Sequence, residues 1–339
     1  IERPIGLTHV LWRLWAKQRW EPVDAWLRRY SPAAVWDAAL PGRSCLDVAL
    51  KRLTRAEGAK LQGKCFVSLF ADLTQFYEHV DHFKLREEAL RLEFPGQHLG
   101  LALQVYSAPR YIDVEGVLCP PVNPGKGIVA GCPLALVLAK VPLYSTLEQL
   151  SSLPKVTNID SWIDDISVHC LSSLPAEAAF HAVRAYRLLR EGLHAQGLLL
   201  SVEKTVFVAS DPKTEASLKG FLVSGEPRVV PVTKDLGVDS SGGRRRRTVQ
   251  QQKRMTAGGA RSGRVGSLRL PEGTRLKVVR SSVVTVATWG HQAQGVCPTQ
   301  QKWLRRLGSS DFSLAMCHRT VADPAIELVT QHLRSVLPV

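Results

Sequence analysis

Two adjacent carboxylates, Asp164 and Asp165, stand between two short runs of residues that favour β-structure. Successive side chains on a strand point to opposite faces, so both acids can serve one site only where the backbone turns sharply. The stretch from Ser161 to Val168 therefore predicts the tip of a β-hairpin, where carboxylates are candidate metal ligands. A solvated turn that binds nothing is the alternative that this stretch alone leaves open.

The balance of charge over the whole chain indicates a polyanionic partner. The chain has 339 residues, 45% hydrophobic and 22% charged, which is enough for a buried core divided among two or three subdomains. Its net charge is +14 and its pI is near 9.7, which suits nucleic acid or a membrane surface. The sequence has no run of about 18 apolar residues and no basic amphipathic helix suited to a bilayer, so nucleic acid is preferred and no membrane association is expected.

Most of the excess positive charge lies in one segment, Ser241 to Arg280. This segment holds twelve cations against one acid, a local net charge of +11. A solvated face is the ordinary role of such a run, but the concentration favours contact with a phosphate backbone. The candidate nucleic-acid contacts are Arg244, Arg245, Arg246, Arg247, Lys253, Arg254, Arg261 and Arg264. The pairs Gly242-Gly243 and Gly258-Gly259 predict flexibility here.

The seven cysteines are scattered, without a Cys-x-x-Cys pair or zinc-ribbon spacing. They predict buried thiols in an intracellular, reducing compartment, with nucleus and cytoplasm both open. Because the sequence starts at Ile1 within an apparently structured segment, we expect a fragment of a longer protein.

The order of predicted elements indicates an α/β arrangement with the Asp164-Asp165 hairpin near the middle of an antiparallel sheet. The apolar run from Cys65 to Leu73 predicts a buried strand that delivers Asp72 to an edge, where an unpaired carboxylate needs a metal, a cation or water. The other predictions are a core-packed helix carrying Leu7, Val10, Leu11, Leu14 and Trp15; a helix capped at Ser44 by Asp47; helices over 77–92, 97–108, from Leu134 to about 150, and over 175–196; a hairpin over 110–118; strands over 198–209 and 218–232; and a turn at 235–237.

Taken in order, these segments resemble the polymerase region of a reverse transcriptase of the non-LTR-retrotransposon type, over nearly the whole chain. The matching stretches are Arg3-Pro4-Ile5 and Pro41-Gly42-Arg43-Ser44 for the two fingers motifs; Asp72 to Val80 for motif A; Gly127 to Leu134 for motif B; Trp162-Ile163-Asp164-Asp165 for motif C; Gly197-Leu198 with Glu203-Lys204-Thr205 for motif D; and Leu236-Gly237 for motif E. The resemblance implies a right-hand polymerase fold, α/β (α+β) in class, with an antiparallel-sheet palm, partial fingers and a helical thumb. It places the fingers at 1–64, the palm at 65–240 with a fingers insertion at about 83–127, and the basic thumb at 241–339.

The resemblance also implies an activity, RNA-directed DNA polymerisation by two-metal phosphoryl transfer, with an RNA template, a DNA primer and dNTPs as partners. Two Mg²⁺ ions, or Mn²⁺ in their place, would be held by Asp72 and Asp164, with Asp165 as the third carboxylate. Tyr77 would exclude a 2′-hydroxyl, and Lys204 would protonate or neutralise the leaving pyrophosphate. The remaining implied contacts are Arg3 to the triphosphate and Gly131, Cys132 and Pro133 to the template and incoming base.

Local sequence alone would assign plainer roles to several of these residues: a core aromatic at Tyr77, a helix-initiating turn at Gly131 and a solvated lysine at Lys204. The chain also departs from the family, which usually has Gln at Ala130, Ser at Ala135 and Asp at Glu78. A catalytically silent, nucleic-acid-binding copy is therefore one alternative. RNA-templated RNA synthesis is another, although such enzymes usually have an acid where Tyr77 stands and Gly where Ile163 stands.

Overall fold

A computed structural model describes residues 8–243 and 246–309. The helices are α1 (Val10–Gln18), α2 (Glu21–Ala33), α3 (Cys45–Leu61), α4 (Phe76–His79), α5 (His82–Arg91), α6 (Gly96–Ser107), α7 (Ala135–Leu138), α8 (Tyr144–Ser151), α9 (Pro175–Ala195), α10 (Pro212–Phe221), α11 (Val249–Gly266), α12 (Glu272–Val278), α13 (Thr285–Thr288), α14 (His291–Gln294) and α15 (Pro298–Ser309). The strands are β1 (Cys65–Asp72), β2 (Asp113–Val114), β3 (Val117–Leu118), β4 (Val156–Trp162), β5 (Asp165–Ser172), β6 (Val206–Ala209), β7 (Arg228–Val229), β8 (Val232–Asp235) and β9 (Val238–Ser241). This mixture confirms the predicted α/β class. No helix in the described ranges combines the length and apolar composition needed to cross a bilayer.

The chain divides into two compact units. Of the described residues, the sheet unit comprises 8–43 and 59–230, and the helical unit comprises 44–58, 231–243 and 246–309. This division separates the chain at 230 and assigns the first part of α3 to the helical unit, whereas the sequence placed the last boundary at 240 and α3 with the N-terminal segment. The naming of fingers, palm and thumb stays a prediction.

The sheet unit is built on five strands in the order β4-β5-β1-β6-β7. Neighbours are antiparallel except β6 and β7, which are parallel. The Asp164-Asp165 hairpin lies at the edge of this sheet, so its predicted central position was wrong, and β1 takes the middle instead. On one face, Val67, Leu69 and Ala71 of β1 are buried in a large core that includes the alanine-rich side of α9. The alternation along β1 therefore sends Phe70 and Asp72 to the other face.

Several helix predictions are confirmed by the caps that predicted them. The Ser44 hydroxyl accepts from the Leu46 N–H, and Asp47 accepts from the Ser44 N–H, at the start of α3. After α9, Gly197 adopts φ +77°, the left-handed conformation that ends many helices.

Two predicted strands are only partly confirmed. The stretch 198–209 is strand only from Val206, and 218–232 contains the end of α10 and the two-residue β7. The missed signal is Asp211-Pro212: the Asp211 carboxylate accepts from the Lys213 and Thr214 N–H groups and so starts α10. The predicted helix from Leu134 to 150 is also broken, with a 3₁₀ turn over Val141–Leu143 that contains Pro142.

The predicted core face of α1 was also wrong. Val10, Leu11 and Leu14 are each more than half exposed, whereas Ala16 is buried and Trp12 packs against the core. Leu7 lies outside the described residues. Tryptophan at the half-buried positions, rather than the leucine stripe, holds this helix in place.

The helical unit has a small core in which Ala49, Val238 and Ala293 are buried. The predicted turn at 235–237 joins β8 and β9, with φ +46° at Leu236 and +86° at Gly237, as a two-residue hairpin of type I′ requires. The predicted flexibility at Gly258-Gly259 was wrong, because both lie inside α11. A Cβ at 258 would come within 2.8 Å of the Ala287 Cβ, so this glycine permits close helix packing.

Candidate active site at the acidic strand edge

The hairpin tip between β4 and β5 is a tight turn. Trp162 and Asp165 are paired across the hairpin, which leaves Ile163 and Asp164 as the two loop residues, one position earlier than predicted. Ile163 has φ +59°, which is strained for a β-branched residue. Its side chain packs against the core, and its carbonyl accepts from the Ser161 hydroxyl at 3.2 Å. The apolar anchor of Ile163 therefore fixes the turn that carries the acids.

Strand register brings Asp72 and Asp165 together. The two residues are the last partners of the antiparallel pair formed by β1 and β5. Directly opposed residues of such a pair point to the same face, with Cβ atoms about 4.5–5.5 Å apart. The two carboxylates thus share one edge of the sheet, although 93 positions separate them in the sequence.

Lys204 reaches the same edge from an irregular segment. The Ser201 N–H donates to the Asp72 carbonyl, and the Thr74 N–H donates to the Leu199 carbonyl, both at 2.8 Å. These bonds tie the segment to the end of β1, and the Lys204 Nζ lies 3.1 Å from the Asp72 Oδ2. The lysine side chain is 58% exposed, so this ion pair holds the two groups together by less than about 1 kcal/mol.

Tyr77 lies close enough to Asp164 for the two to interact electrostatically. Burial and, to a smaller extent, the negative charge of Asp164 together raise the pKa of Tyr77 to about 12. The hydroxyl is therefore protonated at neutral pH. Tyr77 is half-buried and packs on the core, as expected of a core aromatic residue, and it also interacts with Asp164.

The loop from Gly127 to Pro133, here called the glycine loop, is hydrogen-bonded to the segment that carries Tyr77. The Ile128 N–H donates to the Tyr77 carbonyl, and the Gly127 N–H donates to the Val80 carbonyl, each at 2.7 Å. Gly127 has φ +100°, and a Cβ there would lie 3.2–3.3 Å from backbone atoms of Tyr77 and Glu78. Gly127 thus permits a close contact between this loop and the helix of Tyr77, and the contact of Gly131 with the template and incoming base stays a prediction.

The other residues of this loop have different surroundings. Gly131 is exposed at a turn with φ +102°, and Pro133 is half-buried. The Cys132 thiol is buried and accepts a hydrogen bond from the Trp12 Nε1 at 3.2 Å. Its side chain therefore serves packing.

Sequence reasoning missed a buried ion pair that supports the hairpin. The Lys140 Nζ lies 2.5 Å from the Asp37 Oδ2 and 2.7 Å from the Ala39 carbonyl. The backbone of residues 36–38 pairs in turn with Ser161, just before the turn. Burial lowers the pKa of Lys140, which the charge of Asp37 opposes. No local signal predicts a pair separated by 103 positions.

The donor set at the edge suits Mg²⁺ in its chemistry. Asp72 and Asp165 offer oxygen ligands, and Mg²⁺ commonly uses one or two carboxylates together with substrate phosphates and water. Within residues 8–243 and 246–309, no three His, Cys, Asp or Glu side chains form a group that could hold a metal by themselves. The edge fits an ion shared with a substrate better than an ion enclosed by protein.

The predicted nucleic-acid contacts are only partly available. Arg244 and Arg245 lie outside the described residues, as does Arg3, the predicted triphosphate contact. Arg246 forms a two-point ion pair with Glu57 at 2.7 and 2.9 Å, and Arg254 lies over the Trp289 ring at 5.6 Å. Arg246 is nevertheless exposed, as are Arg247, Lys253, Arg261 and Arg264.

The cysteines do not all fit their predicted burial. Cys132 and Cys170 are buried, whereas Cys297 is exposed; Cys45, Cys65 and Cys119 are intermediate. Cys317 lies outside the described residues.

No protein-family model and no curated protein sequence matches the chain. Among solved structures, it is similar to apo telomerase from Candida tropicalis, with a TM-score of 0.49, 12% identity, and 87% of this chain and 50% of that chain covered. For the complex of that telomerase with the TWJ fragment of telomeric RNA, the TM-score is 0.49 and the identity 10%, with 86% of this chain and 50% of that chain covered. For the corresponding complex from Candida albicans, the TM-score is 0.46 and the identity 11%, with 94% of this chain and 58% of that chain covered. The chain spans about half the length of these telomerase chains.

Proposed function

We propose that this chain is an RNA-directed DNA polymerase that extends a DNA primer on an RNA template, as part of a retroelement of the non-LTR-retrotransposon type. One observation carries the proposal: separate segments bring Asp72, Asp165 and Lys204 to one strand edge, with Asp164 and Tyr77 interacting at the adjoining turn. These are the residues that the reverse-transcriptase motifs assign to metal binding, sugar selection and proton transfer.

Asp72, Asp164 and Asp165 would hold two Mg²⁺ ions together with substrate phosphates and water as further ligands. Bound Mg²⁺ ions would stabilise the negative charge that develops on the attacking 3′-oxygen and on the leaving pyrophosphate. Mg²⁺ suits the site because all the donors are carboxylate oxygens.

Lys204 and Tyr77 act on the nucleotide. Lys204 leaves its weak ion pair with Asp72 when a triphosphate arrives, and its Nζ then neutralises or protonates the leaving pyrophosphate. Tyr77, anchored by the bond between its carbonyl and Ile128, places its ring where a 2′-hydroxyl would clash. The exposed cations of α11 bind the phosphate backbone of the template and primer.

A catalytically silent copy is the second candidate, and one observation favours it. Lys204 already neutralises Asp72, the acid that would hold the metal. Such a copy would bind nucleic acid in a salt-sensitive manner, as the exposed cations predict, without extending a primer.

Primer extension distinguishes these functions. We expect the chain to add dNTPs to a DNA primer on an RNA template when Mg²⁺ is present, and Asp164→Asn to abolish this activity. Asp24→Asn, which changes an exposed carboxylate on α2, is the matched control and retains activity. Extension that survives Asp164→Asn contradicts the metal assignment.

A sugar-selection assay addresses RNA-templated RNA synthesis. The chain prefers dNTPs over ribonucleotides, and Tyr77→Ala narrows that preference because the clash with the 2′-hydroxyl is removed. A preference of the unchanged chain for ribonucleotides would identify an RNA polymerase instead.

A further inference from the structure

The helical unit contains a cavity of about 1180 Å³ that the polymerase proposal does not use. Its walls come from α11, from the segment that precedes α15 and from α15 itself, and all its lining residues fall within 246–303. Apolar contributions include Met255, Val296 and Trp303, whereas Thr256 and Gln252 are polar. A cavity of this size holds a ligand as large as a nucleotide.

The floor of the cavity is fixed by a chain of amide hydrogen bonds. The buried Gln251 donates through Nε2 to the Gly295 carbonyl and accepts through Oε1 from the Gln300 Nε2, each at 2.9 Å. The Gln300 Oε1 in turn accepts from the Cys297 N–H at 3.0 Å. These bonds tie α11 to the start of α15, so the cavity is formed without a ligand.

A glycine in α11 makes room for the tryptophan. A Cβ at 259 would lie 3.4 Å from the Trp303 ring, so the half-buried indole lies directly against the backbone of α11. At one end, Arg246 is held by Glu57 and by the Gln294 carbonyl. The aromatic surface of Trp303 therefore lines a preformed space.

The rim of the cavity adjoins a stripe of positive charge. Helix α11 carries four cations and no acid. Lys253 and Arg264 are eleven residues apart, about three turns, so they lie on one stripe roughly 16 Å long. Thr256 and Ala260, which line the cavity, are about one and two helical turns after Lys253 and therefore lie beside this stripe. A polyanion bound along the stripe passes the mouth of the cavity.

We infer that this cavity receives an unpaired nucleobase of a bound single strand, which stacks on Trp303 while neighbouring phosphates contact Lys253 and Arg264. Charge favours nucleic acid over other occupants, and an aromatic surface beside a cationic track is the arrangement that binds single strands. RNA and DNA share this chemistry. The site requires nucleic-acid binding but not polymerase activity, so it goes beyond the proposed function.

The exposed thiol of Cys297, which lines the cavity, reports on its occupancy. The full chain is alkylated, without Mg²⁺ or dNTPs, and modification at Cys297 is followed by peptide mass spectrometry. The probes are a single-stranded RNA and a single-stranded DNA of about 12 nucleotides and an abasic strand of equal length and charge. At a concentration about ten times Kd, the base-containing strands slow alkylation about tenfold, whereas the abasic strand leaves it unchanged. Equal protection by all three strands, or protection by none, overturns the inference.

Substitutions distinguish the contribution of base stacking from that of the phosphate contacts. Trp303→Ala weakens binding of the base-containing strands about 5- to 100-fold and leaves abasic binding unchanged, and Trp303→Phe retains part of the affinity. Lys253→Ala, the matched control, weakens binding of all strands alike. Equal loss for base-containing and abasic strands with Trp303→Ala overturns the stacking assignment. The wild-type alkylation result stands even where Trp303→Ala fails to fold. Because no nucleotide is added in either assay, failure here leaves the primer-extension proposal intact.

Discussion

The acidic edge of the sheet unit and the basic helix α11 of the helical unit are assembled in opposite ways. At the edge, Asp72, Asp165 and Lys204 come from distant segments, and strand register and backbone hydrogen bonds bring them together. On α11, the cations are neighbours in sequence and need only helical periodicity to line up. The arrangement at the edge therefore depends on tertiary structure, whereas the charge on α11 depends on composition, and we expect the two regions to respond differently to substitution.

The largest effect on stability is expected from the buried ion pair that supports the hairpin. Lys140→Met leaves the Asp37 carboxylate buried without its cation and lowers the free energy of unfolding by about 3–5 kcal/mol. The matched change is Lys204→Met, which breaks an exposed pair and costs less than about 1 kcal/mol. Urea denaturation measures both. Equal losses would contradict the distinction between the two pairs.

A smaller effect is expected where the glycine loop meets the helix of Tyr77. Gly127→Ala places a Cβ against the backbone of Glu78 at a φ of +100°, so it lowers the free energy of unfolding by about 1–3 kcal/mol. Gly125→Ala is the control, because nothing lies within 4 Å of its Cβ position. Thermal denaturation compares the stability of the two variants. A Gly127→Ala protein as stable as the control would remove the steric basis for this contact.

The smallest effects are expected on α11 and the residues before it. Lys253→Ala removes an exposed cation and lowers the slope of log K against log salt by about 1, the loss of one phosphate contact. Arg246→Ala leaves that slope unchanged, because Glu57 already pairs with the guanidinium. Nucleic-acid binding over a salt series separates the two. A slope that falls equally in both variants would show that the ion pair with Glu57 opens on binding.

The sequence predicted what local signals determine. The strand ending at Asp72, the hairpin at Asp164, the cap at Ser44 and the turn at Gly237 all follow from short patterns, and each is confirmed. The predicted hairpin turn at Asp164-Asp165 was displaced by one residue, because the alternation of polarity does not show where strand pairing ends. The observed pairing assigns Asp165 to β5.

Interactions between distant segments could not be read in the same way. The pairing of Lys140 with Asp37 and the opposition of Asp72 and Asp165 depend on packing and register, which no single segment encodes. The strand predicted over 218–232 is only partly confirmed because its apolar residues suit a helix equally well, and the cap at Asp211 lies upstream. Gly258 looked flexible in sequence because its packing partner, Ala287, lies 29 positions away.

Primer extension by the unchanged chain and by Asp72→Asn measures whether the acidic strand edge is a polymerase active site. The assay uses an RNA template, a DNA primer and dNTPs, with and without Mg²⁺, and circular dichroism confirms that the variant is folded. We predict extension that requires Mg²⁺ in the unchanged chain and a rate at least about 10³-fold lower in Asp72→Asn, because a metal ligand is lost. Equal extension by both proteins, or salt-sensitive binding without any extension, would contradict it.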